Sequence, residues 1–247
     1  MRIIVVADEE AMGRRAADLV EDEMGNHANP VLGLATGSTP LPLYHELIRR
    51  HREEGLDFAT TITFNLDEYV GLPPDHKESY HRFMRENLFD HINIVPGNSH
   101  VPDGMADDVE AACRAYEQMI DDCGGIDMQV LGIGANGHIG FNEPGSSFGS
   151  LTRIKTLTET TRQDNARFFE SIDEVPRYAI TMGIGTILAA RKCILLATGE
   201  NKADAIEAAC EGPLTAMCPA SVLQLHRYAT LIVTEDAAGQ LTLPVEH

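Results

Sequence analysis

Val31-Leu32-Gly33-Leu34-Ala35-Thr36-Gly37-Ser38-Thr39-Pro40 runs directly into residues 41–54, and this stretch decides the fold. Residues 31–35 form an apolar run of strand length, ended by Gly-Ser-Thr-Pro. Over 41–54, Leu43, Leu47 and Ile48 recur at the spacing of one helix face. A strand without polar alternation expects cover on both faces. Such a strand followed by a turn and an amphipathic helix is the building unit of parallel sheets.

The unit repeats outward. Upstream, a strand at 3–6 leads into a helix at 9–24, with Met12, Ala16, Leu19 and Val20 at helical spacing. Downstream, strands are expected at 61–66, 128–133, 177–182, 193–197 and 228–233. Helices at 107–122 and 202–210 alternate with them, and Ser79 is placed to cap another that carries Tyr80, Phe83, Met84 and Leu88. The chain therefore reads as α/β, a mostly parallel sheet with helices on both faces. No repeat, low-complexity tract or linker divides it, so residues 1–247 are expected to form a single domain.

Composition narrows the function. With 43% hydrophobic and 23% charged residues the chain is neither disordered nor fibrous. Its 38 acidic and 19 basic residues give a net charge of -19, which repels nucleic acid and anionic lipid, so neither is expected as a partner. No apolar run approaches the roughly 18 residues of a membrane span. Met1-Arg2-Ile3-Ile4-Val5-Val6 runs into Asp8-Glu9-Glu10 without the pattern of a secretory signal. The cysteines at 113, 123, 193, 210 and 218 are odd in number and lack C-x-x-C spacing, which fits reduced, buried thiols and a cytoplasmic location.

In parallel sheets ligands bind beyond the carboxyl ends of the strands, so the strand-end residues carry the functional signal. Gly37, Ser38 and Thr39 combine close backbone approach, hydroxyls and a helix start, which suits an anion such as phosphate. The other reading is an ordinary capped turn. No Gly-Lys-Ser/Thr follows, which argues against a nucleoside triphosphate. At the next end, Asp67 is either a partly desolvated general base or part of a solvated acidic turn.

The third end reads Leu131-Gly132-Ile133-Gly134-Ala135-Asn136-Gly137-His138-Ile139-Gly140-Phe141-Asn142-Glu143-Pro144-Gly145. Its G-x-G-x-x-G lacks the helix that a dinucleotide site requires, because Gly140, Pro144 and Gly145 interrupt the following turns. His138 and Glu143 share this loop, and a carboxylate fixing an imidazole tautomer prepares it for proton transfer. A satisfied structural histidine is the alternative. Arg167 and Lys202 are cations that an anionic ligand would need in so acidic a chain. No metal-binding motif and no G-x-S-x-G nucleophile elbow is present.

Together these strings resemble the glucosamine-6-phosphate deaminase (isomerase) family. The matching segments are 34–40, 63–72, 132–144 and 152–158, with Arg167-Phe168-Phe169 and residues 221–226 following in order. The resemblance spans nearly the whole chain. It implies a Rossmann-like open sheet, one catalytic domain, no cofactor, and conversion of glucosamine 6-phosphate and water to fructose 6-phosphate and ammonia. It further implies Asp67 as the base at C2, His138 as the ring-opening group, and Glu143 as the group that orients His138. Asn136 stands where some members carry Asp, so the proton relay is expected to rest on His138 and Glu143. Gly37, Ser38, Thr39, Arg167 and Lys202 are implied at the substrate phosphate.

Larger members are hexamers activated by N-acetylglucosamine 6-phosphate, and Ser146, Arg153 and Lys155 match part of that allosteric site. The chain ends at Leu243-Pro244-Val245-Glu246-His247, before the segment that completes the site in those members. Activation is therefore not expected, and a monomer or small homo-oligomer is. Two competing readings are a 6-phosphogluconolactonase and a sugar-phosphate sensor. Asp67-Glu68-Tyr69-Val70-Gly71 and Phe141-Asn142-Glu143-Pro144 speak against the first. The absence of a basic DNA-binding segment speaks against the second.

Overall fold

The computed structural model describes residues 1–166, 169 and 171–247. Seven strands form a parallel sheet: β1 (Arg2–Val6), β2 (Val31–Leu34), β3 (Ile62–Asn65), β5 (Ser99–His100), β6 (Met128–Leu131), β9 (Lys192–Ala197) and β10 (Ala229–Thr234). Their order is β1-β10-β9-β6-β2-β3-β5, and every pairing is parallel. Three more strands, β4 (Asp67–Tyr69), β7 (Arg153–Thr156) and β8 (Tyr178–Thr181), form a small antiparallel sheet in the order β4-β8-β7.

The strands alternate between two cores, as a pleated sheet covered on both sides must. Ile3, Val5, Leu131, Leu195, Leu231 and Val233 face one core, completed by α4 (Val109–Asp122), α6 (Ile184–Ala189) and α7 (Ala203–Cys210). Ile4, Leu32, Leu34, Val130, Ile194 and Ile232 face the other, with α1 (Glu9–Asn26), α2 (Leu41–Glu54) and α3 (Tyr80–Asn87). A further helix, α5 (Glu159–Asn165), adds none of its described side chains to either core. Helix starts follow the sequence signals. Asp8 accepts from the Ala11 amide, Asp108 from Ala111, and Ser79 from Arg82, as expected of N-caps. Gly33 is required by packing, because a Cβ there would lie 2.0 Å from the Gln129 amide oxygen on neighbouring β6.

Two expectations change in detail. The run at 61–66 does not simply stop at Asp67. The chain leaves the large sheet after Asn65 and pairs at once with β8, Asp67 opposite Thr181. The run at 177–182 is a strand, but in the small sheet and antiparallel to both neighbours. Strand period records burial and carries no information on pairing direction, so the two kinds of strand look alike in sequence.

Candidate active site

Four adjacent strands, β9, β6, β2 and β3, end side by side, and the residues singled out in the sequence follow their carboxyl ends. The turn after β2 is pinned by the buried Tyr44 of α2, whose hydroxyl donates to the Ala35 carbonyl (2.5 Å) and accepts from the Ala35 amide (3.2 Å). Gly37 then takes a left-handed conformation (φ 98°) open to glycine at little cost. Pro40 holds the N-cap position of α2 and supplies no capping side chain. The exposed Ser38 and half-buried Thr39 sit at this helix start, where the Ser38 carbonyl accepts from the Leu41 amide (3.2 Å) and Pro42 carries no N–H. Lys202 lies in the short turn between β9 and α7, on the same rim. Arg167 lies outside the described residues.

Asp67 opens β4 directly beyond the end of β3 and is 7% exposed, which removes the reading of a solvated turn. Burial, reinforced by the charge of Glu68, pushes its carboxyl from the ordinary 3.8 up to about 8. Glu68 is itself buried and accepts from the amides of Tyr69 (2.8 Å), Tyr80 (3.0 Å) and His81 (3.1 Å). It also faces His81 Nδ1 at 3.1 Å. Sequence reading missed Glu68, because its partners lie on α3, beyond a loop.

The loop after β6 folds back on itself. The Gly134 amide donates to the His138 carbonyl, and Gly137 to Gly134, both at 2.9 Å. A Cβ on Gly134 would lie 2.1 Å from His138 Cε1, so glycine there makes room for the ring. No helix follows Gly137, in line with the rejection of a dinucleotide site. Gly140 brings this loop against Asp67: a Cβ at Gly140 would stand 3.5 Å from Asp67 Oδ2.

Hydrogen bonding orders the histidine through an intermediary. His138 Nδ1 lies 2.7 Å from Asn136 Oδ1, and Asn136 Nδ2 donates to Glu143 Oε2 at 2.8 Å. The carboxylate only accepts, which turns the amide nitrogen of Asn136 toward Glu143 and its oxygen toward His138. His138 therefore carries its proton on Nδ1 and presents Nε2 as the basic nitrogen. Glu143 is 3.8 Å from Nδ1 and reaches His138 through Asn136, a bridging role that the sequence reading did not give that residue. The other Glu143 oxygen accepts from the Thr161 hydroxyl of α5, a residue the sequence reading missed. No sequence signal marked it, since the seven-residue helix is too short for periodicity.

The Ser146 amide donates to the Glu143 carbonyl (3.0 Å), and the Glu143 charge acts on Lys155. Ser146 is buried with its hydroxyl unpartnered. Arg153 and Lys155 occupy alternate positions of β7, and burial lowers the pKa of both, with Arg153 adding to the effect at Lys155. Among the described residues, one histidine–carboxylate group, Glu23, His27 and Asp127, has ligand atoms within 4.8 Å of one another, at the opposite rim. Its carboxylates already pair with Lys192 and Arg191, and His27 points its two nitrogens at different carboxylates, so it closes as a charge network. The five cysteines are free, four of them buried, and burial pushes the Cys193 thiol up to about 12.

The fold is of the α/β class, and one rim of its parallel sheet carries a glycine turn at a helix start, a buried carboxylate of raised pKa and a tautomer-fixed histidine, a set of groups suited to an enzyme that moves protons. The chain belongs to the glucosamine-6-phosphate isomerase/6-phosphogluconolactonase family, whose pattern matches residues 7–232. It is 53% identical over 243 residues to a glucosamine-6-phosphate deaminase of Arthrobacter sp. (strain FB24), covering 98% of this chain and 94% of that one. The solved structure of a monomeric glucosamine-6-phosphate deaminase superposes with a TM-score of 0.95 at 47% identity, covering 98% of this chain and all of the other. A 6-phosphogluconolactonase from Trypanosoma cruzi shares the fold, with a TM-score of 0.76 at 22% identity over 98% of this chain and 97% of that one.

Proposed function

We propose that this protein is a glucosamine-6-phosphate deaminase, converting glucosamine 6-phosphate and water to fructose 6-phosphate and ammonia. The observation that carries the reading is the approach of the His138 loop to buried Asp67 through Gly140. It supports a reading in which the two groups serve adjacent sugar carbons. His138 Nε2 takes the proton of the C1 hydroxyl and passes it to the ring oxygen, so that the bond from C1 to the ring oxygen breaks and the pyranose opens to an aldehyde. The aldehyde acidifies the C2 hydrogen, and Asp67 removes it. The resulting enolamine takes a proton at C1 and becomes an imine at C2. Water adds to that carbon and ammonia leaves, giving the ketose. Glu143, through Asn136, supports positive charge on the imidazole. Gly37, Ser38, Thr39 and Lys202, with Arg167, hold the phosphate, whose binding energy positions C1 and C2.

In this reading residues 1–247 act as one cytoplasmic catalytic domain, needing no cofactor, as a monomer or small homo-oligomer. Ser146, Arg153 and Lys155 are the remnant of an effector site. No described helix is long and apolar enough to cross a membrane. The test is an ammonia-release assay with glucosamine 6-phosphate, unphosphorylated glucosamine and 6-phosphogluconolactone. Turnover is expected with the first alone, and Asp67→Asn should abolish it while sugar-phosphate binding persists. Hydrolysis of the lactone without ammonia release would overturn the reading.

A further inference from the structure

Glu143 sits on a glycine-rich loop outside any helix or strand, so its rotamer must be fixed by what its oxygens touch. One oxygen is held by Asn136 at 2.8 Å and the other by the Thr161 hydroxyl. Thr161 is 8% exposed and occupies the third position of α5. The helix itself does not need that hydroxyl. Thr158 is the N-cap, and its Oγ1 accepts from the Thr161 amide at 3.1 Å. In a capping box the side chain at this third position reaches back to the cap's amide. Here it turns out of the helix to Glu143.

The two threonine hydroxyls lie 2.9 Å apart, and the donor directions follow from chemistry. A carboxylate cannot donate, so the Thr161 proton goes to Glu143, and Thr161 Oγ1 is left to accept from Thr158. The full line reads Thr158 to Thr161 to Glu143, met from the other side by His138 to Asn136 to Glu143. Every donor points toward the carboxylate. Such a line is cooperative, and losing one hydroxyl loosens the members beyond it.

We propose that Thr161 is a positioning residue for proton transfer, holding Glu143 in the rotamer that engages Asn136 and thereby fixing the His138 tautomer. The inference rests on the proposed deaminase reading for its kinetic consequence and on the hydrogen-bond geometry alone for its structural one. It also makes α5 the element that reports its own docking to the histidine.

Two variants and two readouts test it. Thr161→Val keeps the shape and removes the hydroxyl; Thr161→Ser keeps the hydroxyl. Because Thr158 still caps α5, the helix should persist in both; Thr161→Val leaves a buried Glu143 oxygen without its donor, so its thermal midpoint should fall by a few degrees and no more. Thr161→Val should lower kcat for glucosamine 6-phosphate on the order of ten-fold, the usual scale for a hydrogen bond to a charged group, with KM within about two-fold. Thr161→Ser should recover most of that loss. Imidazole nitrogen shifts of His138, read by NMR on the unliganded protein, should show the Nδ1–H tautomer in wild type and Thr161→Ser, and a tautomer mixture in Thr161→Val. Unchanged kcat and unchanged shifts in Thr161→Val would overturn the proposal, as would equal losses in both variants, which would assign the effect to packing. If wild type releases no ammonia, the deaminase reading falls, and the nitrogen shifts still decide the role of Thr161.

Discussion

At the scale of single residues, the site depends on where side chains are missing as much as on where they stand. Gly134→Ala would place a methyl 2.1 Å from the His138 ring, which must swing away from Asn136. Misplacement of a proton-transfer group by an ångström costs on the order of a hundred-fold in rate, while the ring is free to move at small cost in stability. The expected outcome is a kcat reduced about a hundred-fold with a urea midpoint near wild type; full activity would mean that the ring position is unimportant. Asp67, Asn136, His138 and Glu143 could be singled out in the sequence because each follows a strand end, the last three within one glycine-rich loop. The sequence did not show that Asn136 bridges the other two, since bridging is a matter of side-chain torsions that spacing does not encode. Thr161 and Tyr44 were silent for the same reason: each reaches the site across 9 to 18 residues of chain.

At the scale of elements, β4 and α3 are tied by one carboxylate. Glu68 lies on the strand and gathers the first amides of the helix, Tyr80 and His81, adding to the Ser79 cap. The same charge helps hold Asp67 in its acid form until about pH 8. In its proposed role as base Asp67 must be ionised, and the ionised fraction grows with pH, so kcat/KM should rise about ten-fold per unit below 8 and level off above it. Glu68→Gln removes the neighbouring charge, so that limb should move to lower pH, while α3 loses charged acceptors and unfolding in urea comes about 1–3 kcal/mol sooner. A limb that stays in place would detach Glu68 from the acid–base site. The helices at 9–26 and 41–54 were readable because they are long and amphipathic. The small sheet was not. β7 carries Arg153 and Lys155 on one side and a half-exposed Ile154 on the other, so it offers no apolar run.

At the scale of the whole molecule, order along the sheet separates chemistry from stability. The edge strand β1 is covered by the end of the chain: the Val5 amide donates to the Glu246 carbonyl (2.7 Å), and the Glu246 amide to Ile3 (2.9 Å). Removing residues 244–247 would bare that edge, and bare edges pair with other chains. Concentration-dependent association by light scattering is expected, with turnover per chain unchanged, because β10 separates β1 from the strands that carry the site. A truncated protein that stays in its original state at high concentration would show that the edge needs no cover. Strand order was beyond the reach of sequence reading, since seven parallel strands permit many crossovers with the same local pattern. Because the strands run parallel, Met1, exposed ahead of β1, stands on the rim opposite the reactive loops. A linker attached there would tether the protein to a solid support with its mouth turned outward, a ready geometry for an ammonia-reading electrode.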